Sequence, residues 1–292
     1  MQPDHESGFT PTGHMLMTDR RLERRHAFVT LRDEQIKALV APIFGSKALL
    51  KAAPLTGGKV NSNYKLTLNG IPGTAVLRLY ARGRKTCQLE RDVLGRVRGT
   101  LPAPAVLHDG SEHELPFLIT SWVPGTLLST ALSNSQKDHC SLGQNAGSAL
   151  AKTHAVTYSK SGFFGPGLDI RETFQPGQAA LLSFVRPALE GRASKRLGAD
   201  LTERLQTLIG WSAPFLDDLP SQASLIHSDF NPPNLMTENG RISGVLDWEF
   251  AHAGNPLTDI ANMLRPRDYQ SPEFNKGFIE AYENANGPLS NN

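Results

Sequence analysis

Apolar residues first recur at helical spacing at Ile36, Leu39, Val40 and Ile43, just after Thr30-Leu-Arg-Asp33, which offers an N-cap and an acidic first turn. Residues 1–29 are polar and aperiodic, so the ordered chain is expected to begin near Thr30. From Leu55 to Tyr80 the period shortens. Tyr64–Leu68 and Thr74–Tyr80 read as strands, split by the turn signals Asn69-Gly70 and Pro72-Gly73, and predict a small antiparallel sheet. Cys87–Val97 reads as a helix, and Leu115–Val123 as a further strand that stops at Pro124-Gly125, a natural hinge. Helical patterns follow. Ser141–His154 carries Leu142, Ala146, Ala149, Leu150 and Thr153 on one face, and Leu201–Phe215 carries Leu201, Leu205, Leu208 and Ile209. Strands first and helices later predict an α+β protein: a tail over 1–29, a sheet-rich lobe over 30–124 and a mainly helical lobe over 125–292, with a ligand cleft between the lobes.

Composition narrows the class. Of 292 residues 39% are hydrophobic and 20% charged, which excludes a disordered or fibrous chain. A net charge of +2 gives no reason to expect a nucleic-acid partner, and the run Arg20, Arg21, Arg24, Arg25 reads as a solvated tail. Cys87 and Cys140 have no metal-ligand spacing, so free thiols in a reducing, cytoplasmic setting are expected. No run of about 18 apolar residues occurs, and the N-terminus lacks the basic-then-apolar pattern of a signal peptide, so no membrane partner is expected.

The densest chemistry lies in residues 225–250. Glu238-Asn239-Gly240 is a tight-turn signal between Asn234–Thr237 and Arg241–Leu246, which predicts a β-hairpin. The hairpin sets Asn234 and Asp247 on the two sides of its open end, with Asp229 in the loop before it. Facing residues of paired strands approach to about 5 Å, so an amide oxygen and a carboxylate there can share a hard cation such as Mg²⁺. Asp229 is then placed to accept a hydroxyl proton or orient the hydroxyl toward a metal-held phosphate. The plainer alternative is a hairpin whose His, Asp and Asn residues only cap turns.

His227-x-Asp229-x-x-x-x-Asn234, followed by Asp247-Trp-Glu, resembles the aminoglycoside phosphotransferase and choline kinase superfamily. The resemblance implies a two-lobed protein-kinase-like fold, with Asp229 as catalytic base and Asn234 and Asp247 as Mg²⁺ ligands. Asn255-Pro-Leu-Thr-Asp259 is similar to the family's element whose final Asp braces the catalytic loop. Leu55-Thr-Gly-Gly-Lys-Val-Asn-Ser-Asn-Tyr64 is similar to its nucleotide loop, which implies that Gly57, Gly58, Asn61 and Asn63 serve ATP. Arg78 stands where the family carries a Lys or Arg to the phosphates, and Glu90 where a helix carries that residue's ion-pair partner. Arginine keeps a fixed charge and grips phosphate through two parallel donors. His154 matches a family position too, and is expected to be a hydrogen-bonded core histidine.

Only a dozen residues separate Asp247 from Asp259, too few for a peptide-binding platform, so a small-molecule hydroxyl is the expected acceptor. The family's acceptors, aminoglycosides and amino alcohols among them, are mostly cationic. Recognising a cation would draw on Asp217, Asp218, Asp268, Glu273, Glu280, Glu283, Trp211, Trp248 or Tyr269, although scattered charges of this kind ordinarily form a solvated face, and Glu249 is a further candidate. The resemblance covers roughly residues 30–285, and family members usually continue through further helices. The competing expectation is a nucleotide-binding pseudokinase or scaffold. A scaffold needs no base, and the loop keeps all its polar residues.

Overall fold

The computed structural model describes residues 26–56, 58, 60–134, 138–219, 222–285 and 287. Helix α1 spans Asp33–Phe44. It does not start from a Thr30 cap: the Arg32 N–H donates to Gln35 Oε1 at 3.0 Å, so a first-turn side chain folds back on Arg32 and sets the start. Strands β1 (Leu49–Leu55), β2 (Ser62–Leu68), β3 (Thr74–Leu79), β4 (Val106–Gly110) and β5 (Phe117–Ser121) form an antiparallel sheet in the order β1-β2-β3-β5-β4. Helix α2 (Arg84–Val97) connects β3 to β4.

Side chains alternate across a strand, and this alternation places the site. Tyr64, Leu66 and Leu68 on β2 and Ala75, Leu77 and Leu79 on β3 are buried with Ile36 and Val40 of α1 in one core. Each large aliphatic side chain so buried contributes about 1.5–3 kcal/mol, enough to fix the register. The intervening residues then face the other way. Asn63 and Arg78, direct partners across β2 and β3, both lie on the face opposite that core.

In the second lobe β6 (Thr126–Leu127) leads into α3 (Leu128–Asn134) and α4 (His139–His154). Strands β7 (Thr157–Tyr158), β8 (Gly162–Phe164), β9 (Ile170–Thr173) and β10 (Ala223–Ile226) follow, with α5 (Gly177–Leu189), α6 (Arg192–Leu197) and α7 (Ala199–Ser212) inserted before β10. The chain continues through β11 (Leu235–Glu238), β12 (Arg241–Val245), β13 (His252–Gly254), α8 (Leu257–Leu264) and α9 (Pro272–Asn284). Two small sheets, β7-β10-β13-β8-β9 and β12-β11-β6, frame the loop between β10 and β11. Helices α4 and α9 pack backbone to backbone: a Cβ at Gly143 would lie 2.2 Å from Phe274 O, and one at Gly147 2.2 Å from Phe278 O.

The apolar face expected on Leu201–Phe215 is not a core face. No residue of α5, α6 or α7 is buried, and Leu208 and Trp211 are 54% and 70% exposed. These helices pack mainly on one another and on the turn Ala213–Leu216, so helical spacing there marks a single layer. Among the described residues no helix is long and apolar enough to cross a membrane.

Candidate active site

The hairpin forms as its turn chemistry predicts: Asn239 and Gly240 take φ of 51° and 75°, and β11 pairs antiparallel with β12. Leu246 N–H donates to Asn234 O at 2.9 Å and closes the base of the hairpin. On its other edge β11 pairs with β6, so the hairpin is stitched to the segment leaving the first lobe.

Asp229 sits in the preceding loop. Asn234 Nδ2 donates to its Oδ2 at 2.8 Å and to its carbonyl at 2.9 Å, and Asn231 Nδ2 donates to Oδ1. With its amide nitrogen so occupied, Asn234 keeps Oδ1 as an oxygen donor. His227 fixes the loop from within: Nε2–H donates to Leu246 O at 2.8 Å while Nδ1 accepts the Asp229 N–H at 3.2 Å. Its ring packs on Trp248, centroid to centroid 4.5 Å, and Trp248 is fully buried, a core residue rather than a ligand.

Beneath the loop Asp259, fully buried in the first turn of α8, accepts the N–H groups of His227 at 2.7 Å and Ser228 at 2.8 Å. Ser228 holds φ at 70°, in the left-handed region, and these paired acceptors sustain it. His154 Nε2 lies 3.2 Å from Asp259 Oδ2, and Nδ1 lies 2.9 Å from the Tyr282 hydroxyl. His154 is thus a core histidine, and Asp259 does brace the loop.

Among the described residues, contacts of Arg78, Asn61 and Arg82 join the lobes at the segment 247–250. Arg78 Nη2 meets Asp247 Oδ1, Asn61 Nδ2 donates to Glu249 Oε2 at 2.7 Å, and the Arg82 guanidinium lies 4.5 Å from the Phe250 ring centre. Arg78 Nε is also 3.0 Å from Glu90 Oε2, close enough for an ion pair though not aligned for a hydrogen bond, and Glu90 accepts the Tyr80 hydroxyl at 2.9 Å. Burial opposes the Arg78 charge, but Asp247 and Glu90 outweigh it and hold the guanidinium well above the ordinary arginine range. Burial pushes the Glu90 carboxyl up to about 7 against the pull of Arg78. It also raises Glu249, with the charge of Asp247 adding to the effect.

The structure therefore gathers Asp229 and Asn234 in one loop, and Arg78, Glu90, Asp247 and Asn61 in one interlobe cluster. Asn61 spends its amide on Glu249 and its Oδ1 on Ala81 N–H, so its visible role is to tie the loop between β1 and β2 to the second lobe. Asn63 Oδ1 is buried without a hydrogen-bond partner on the Arg78 face of the sheet. Gly58 lies between β1 and β2, and Gly57 lies outside the described residues. The Asn61–Glu249 link, Arg82 against Phe250 and Tyr282 against His154 join residues far apart in the chain and leave no local signal.

Asn234 and Asp247 flank the closed base of the hairpin, and an amide oxygen and a carboxylate are ligand types that Mg²⁺ prefers. Among the described residues no cluster of three or more His, Cys, Asp or Glu side chains stands ready for a metal, and a cation held by these two residues would need further ligands from phosphates and water.

In sequence the chain is similar to hygromycin-B 4-O-kinase of Escherichia coli, 34% identical over 68 residues that cover 23% of this chain and 19% of that protein. Such matches span between 8% and 22% of the length of the curated relatives. In structure it is similar to aminoglycoside phosphotransferase APH(4)-Ia, with a TM-score of 0.67 and 21% identity over 88% of this chain and 86% of that one. It is also similar to APH(2")-IIa in complex with gentamicin, with a TM-score of 0.63 and 18% identity over 88% and 83%. These likenesses give the two-lobed, protein-kinase-like fold. Residues 51–290 match a family as a whole, and on that match the chain belongs to the phosphotransferase enzyme family.

Proposed function

We propose that this protein transfers the γ-phosphoryl group of ATP to a hydroxyl of a small molecule. The observation that carries the reading is the Asp229 carboxylate, fixed by Asn231 and Asn234 in a loop that is itself held from below by Asp259. Such a carboxylate orients an acceptor hydroxyl and takes its proton as the hydroxyl oxygen bonds to the γ-phosphorus. The bond from phosphorus to the β–γ bridging oxygen breaks, and ADP leaves with that electron pair. Arg78, held by Glu90, supplies a fixed positive charge for the phosphates on the cleft face of the sheet. Asn234 and Asp247 are the residues that would hold Mg²⁺, which when bound neutralises phosphate charge.

A small acceptor is favoured because α8 begins at Leu257, so the short interval after Asp247, which also holds β13, offers little chain to carry a peptide. Binding tests the nucleotide half of the reading. Arg78→Ala is expected to weaken Mg·ATP binding by tenfold or more, on the order of 1.4 kcal/mol, by equilibrium titration; unchanged affinity counts against it.

A further inference from the structure

The loop that carries Asp229 is flanked by an arginine-bearing segment on one side and an aromatic cluster on the other. Ser228, the residue before it, is gripped from two sides. Asn262 Nδ2 donates to Ser228 O at 2.7 Å, and the Ser228 hydroxyl lies 2.9 Å from His252 Nδ1.

The first side brings in the loop after α8. Arg267 is anchored through Nη1 to Arg265 O at 2.9 Å and Met263 O at 3.1 Å, and through Nη2 to Asn262 O at 3.0 Å. Burial holds its guanidinium below the ordinary arginine range, with Arg265 adding to the effect and Tyr269 and Asp229 opposing it. Among the described residues neither Arg265 nor Arg267 has a carboxylate partner within 4 Å, and Arg265 is exposed.

The second side is aromatic. His252 packs against Phe174 and Phe163 with ring centres 5.5 and 6.1 Å apart, and Phe184 joins Phe174 at 5.5 Å. Phe163 and Phe184 remain 43% and 53% exposed, although each belongs to this cluster.

Three of the carboxylates that a cationic acceptor could use already have partners. Asp217 accepts from the Gln178 N–H and side chain at the start of α5, Glu249 is held by Asn61, and Glu280 faces Lys276 at 3.8 Å. Asp268 is exposed beside Arg267.

We propose that the acceptor is an alcohol that also carries an anionic group and a hydrocarbon portion, the anion read by Arg265 and Arg267 and the hydrocarbon by Phe163 and Phe184. This rests on the kinase reading above and names its acceptor class. Arginine recognises a carboxylate through parallel donors, and each buried methylene of the acceptor adds about 0.8 kcal/mol.

The test measures ADP release from Mg·ATP with medium-chain hydroxycarboxylates, uncharged diols of matched length, amino alcohols and aminoglycosides. The hydroxycarboxylates are expected to give the highest kcat/KM, about tenfold above the matched diols. Arg265→Glu is expected to raise their KM about tenfold and leave KM for ATP unchanged. Phe184→Ala, at an exposed position, is expected to erase the gain with chain length. Preference for amino alcohols or aminoglycosides, or indifference to Arg265→Glu, overturns the inference and leaves the kinase reading standing. No transfer to any acceptor by protein that binds Mg·ATP overturns both.

Discussion

Tyr282 meets His154 hydroxyl to Nδ1 at 2.9 Å, and both side chains are buried. Through Nε2 the same ring reaches Asp259, which accepts two backbone N–H groups of the loop that carries Asp229. Helix α9 is therefore wired to that loop through one histidine. Removing the carboxylate leaves buried donors unpaired, a loss of roughly 3–5 kcal/mol, whereas removing only the tyrosine hydroxyl costs about 1–2 kcal/mol. Asp259→Asn is expected to lower the thermal midpoint well below that of Tyr282→Phe in calorimetry. The reverse order would remove the brace from the account.

Glycines in two helices give opposite expectations for one substitution. At Gly147 a Cβ meets the backbone of α9, so Gly147→Ala must push α4 and α9 apart, at a cost of about 1–3 kcal/mol. At Gly95 in α2 a Cβ meets nothing within 4 Å, so Gly95→Ala should stabilise by about 0.5–1 kcal/mol through helix propensity alone. Urea unfolding midpoints of the two variants should move in opposite directions.

Burial holds His252 below the ordinary histidine value of 6.5, against the hydrogen bond to Phe250 O and the charge of Asp259. Above that value folded and unfolded chains are both neutral there, and the full stability is present. As pH falls through 6.5 the unfolded chain takes up a proton that the folded chain resists, so stability is lost until the depressed folded value is reached. His252→Gln should flatten this decline in urea midpoints measured between about pH 7 and about pH 5. A variant that falls in parallel with the parent assigns the decline to other groups.

Legibility in the sequence followed the range of the interaction. The strand runs of β2 and β3 and the Asn239-Gly240 turn are local signals, and these strands and the hairpin form where the sequence predicts them. Strand β1 escaped because it is an edge strand with Lys51 and Pro54 and no clean alternation, and β4 likewise borders solvent. The two-to-four-residue strands β7, β8, β9, β10 and β13 are too short to show a period. Leu201, Leu205, Leu208 and Ile209 have helical spacing without burial, because the spacing cannot tell whether a second layer covers the face. Asn61–Glu249 and His154–Asp259 join positions 188 and 105 residues apart, so only the fold reveals them. Arg265 and Arg267 are near each other in sequence, but their tie through Asn262 to Ser228 spans 34 residues and appears only in the fold.

The measurement that bears most directly on the central claim is phosphate transfer from Mg·ATP by the parent protein and Asp229→Asn, with nucleotide affinity read in parallel. The account predicts that acceptor-dependent ADP release falls about a hundredfold or more in the variant, while Mg·ATP affinity stays within about threefold. Turnover by the variant equal to that of the parent would contradict Asp229 as the base, and a parent that binds Mg·ATP yet transfers to no acceptor would make the protein a nucleotide-binding scaffold.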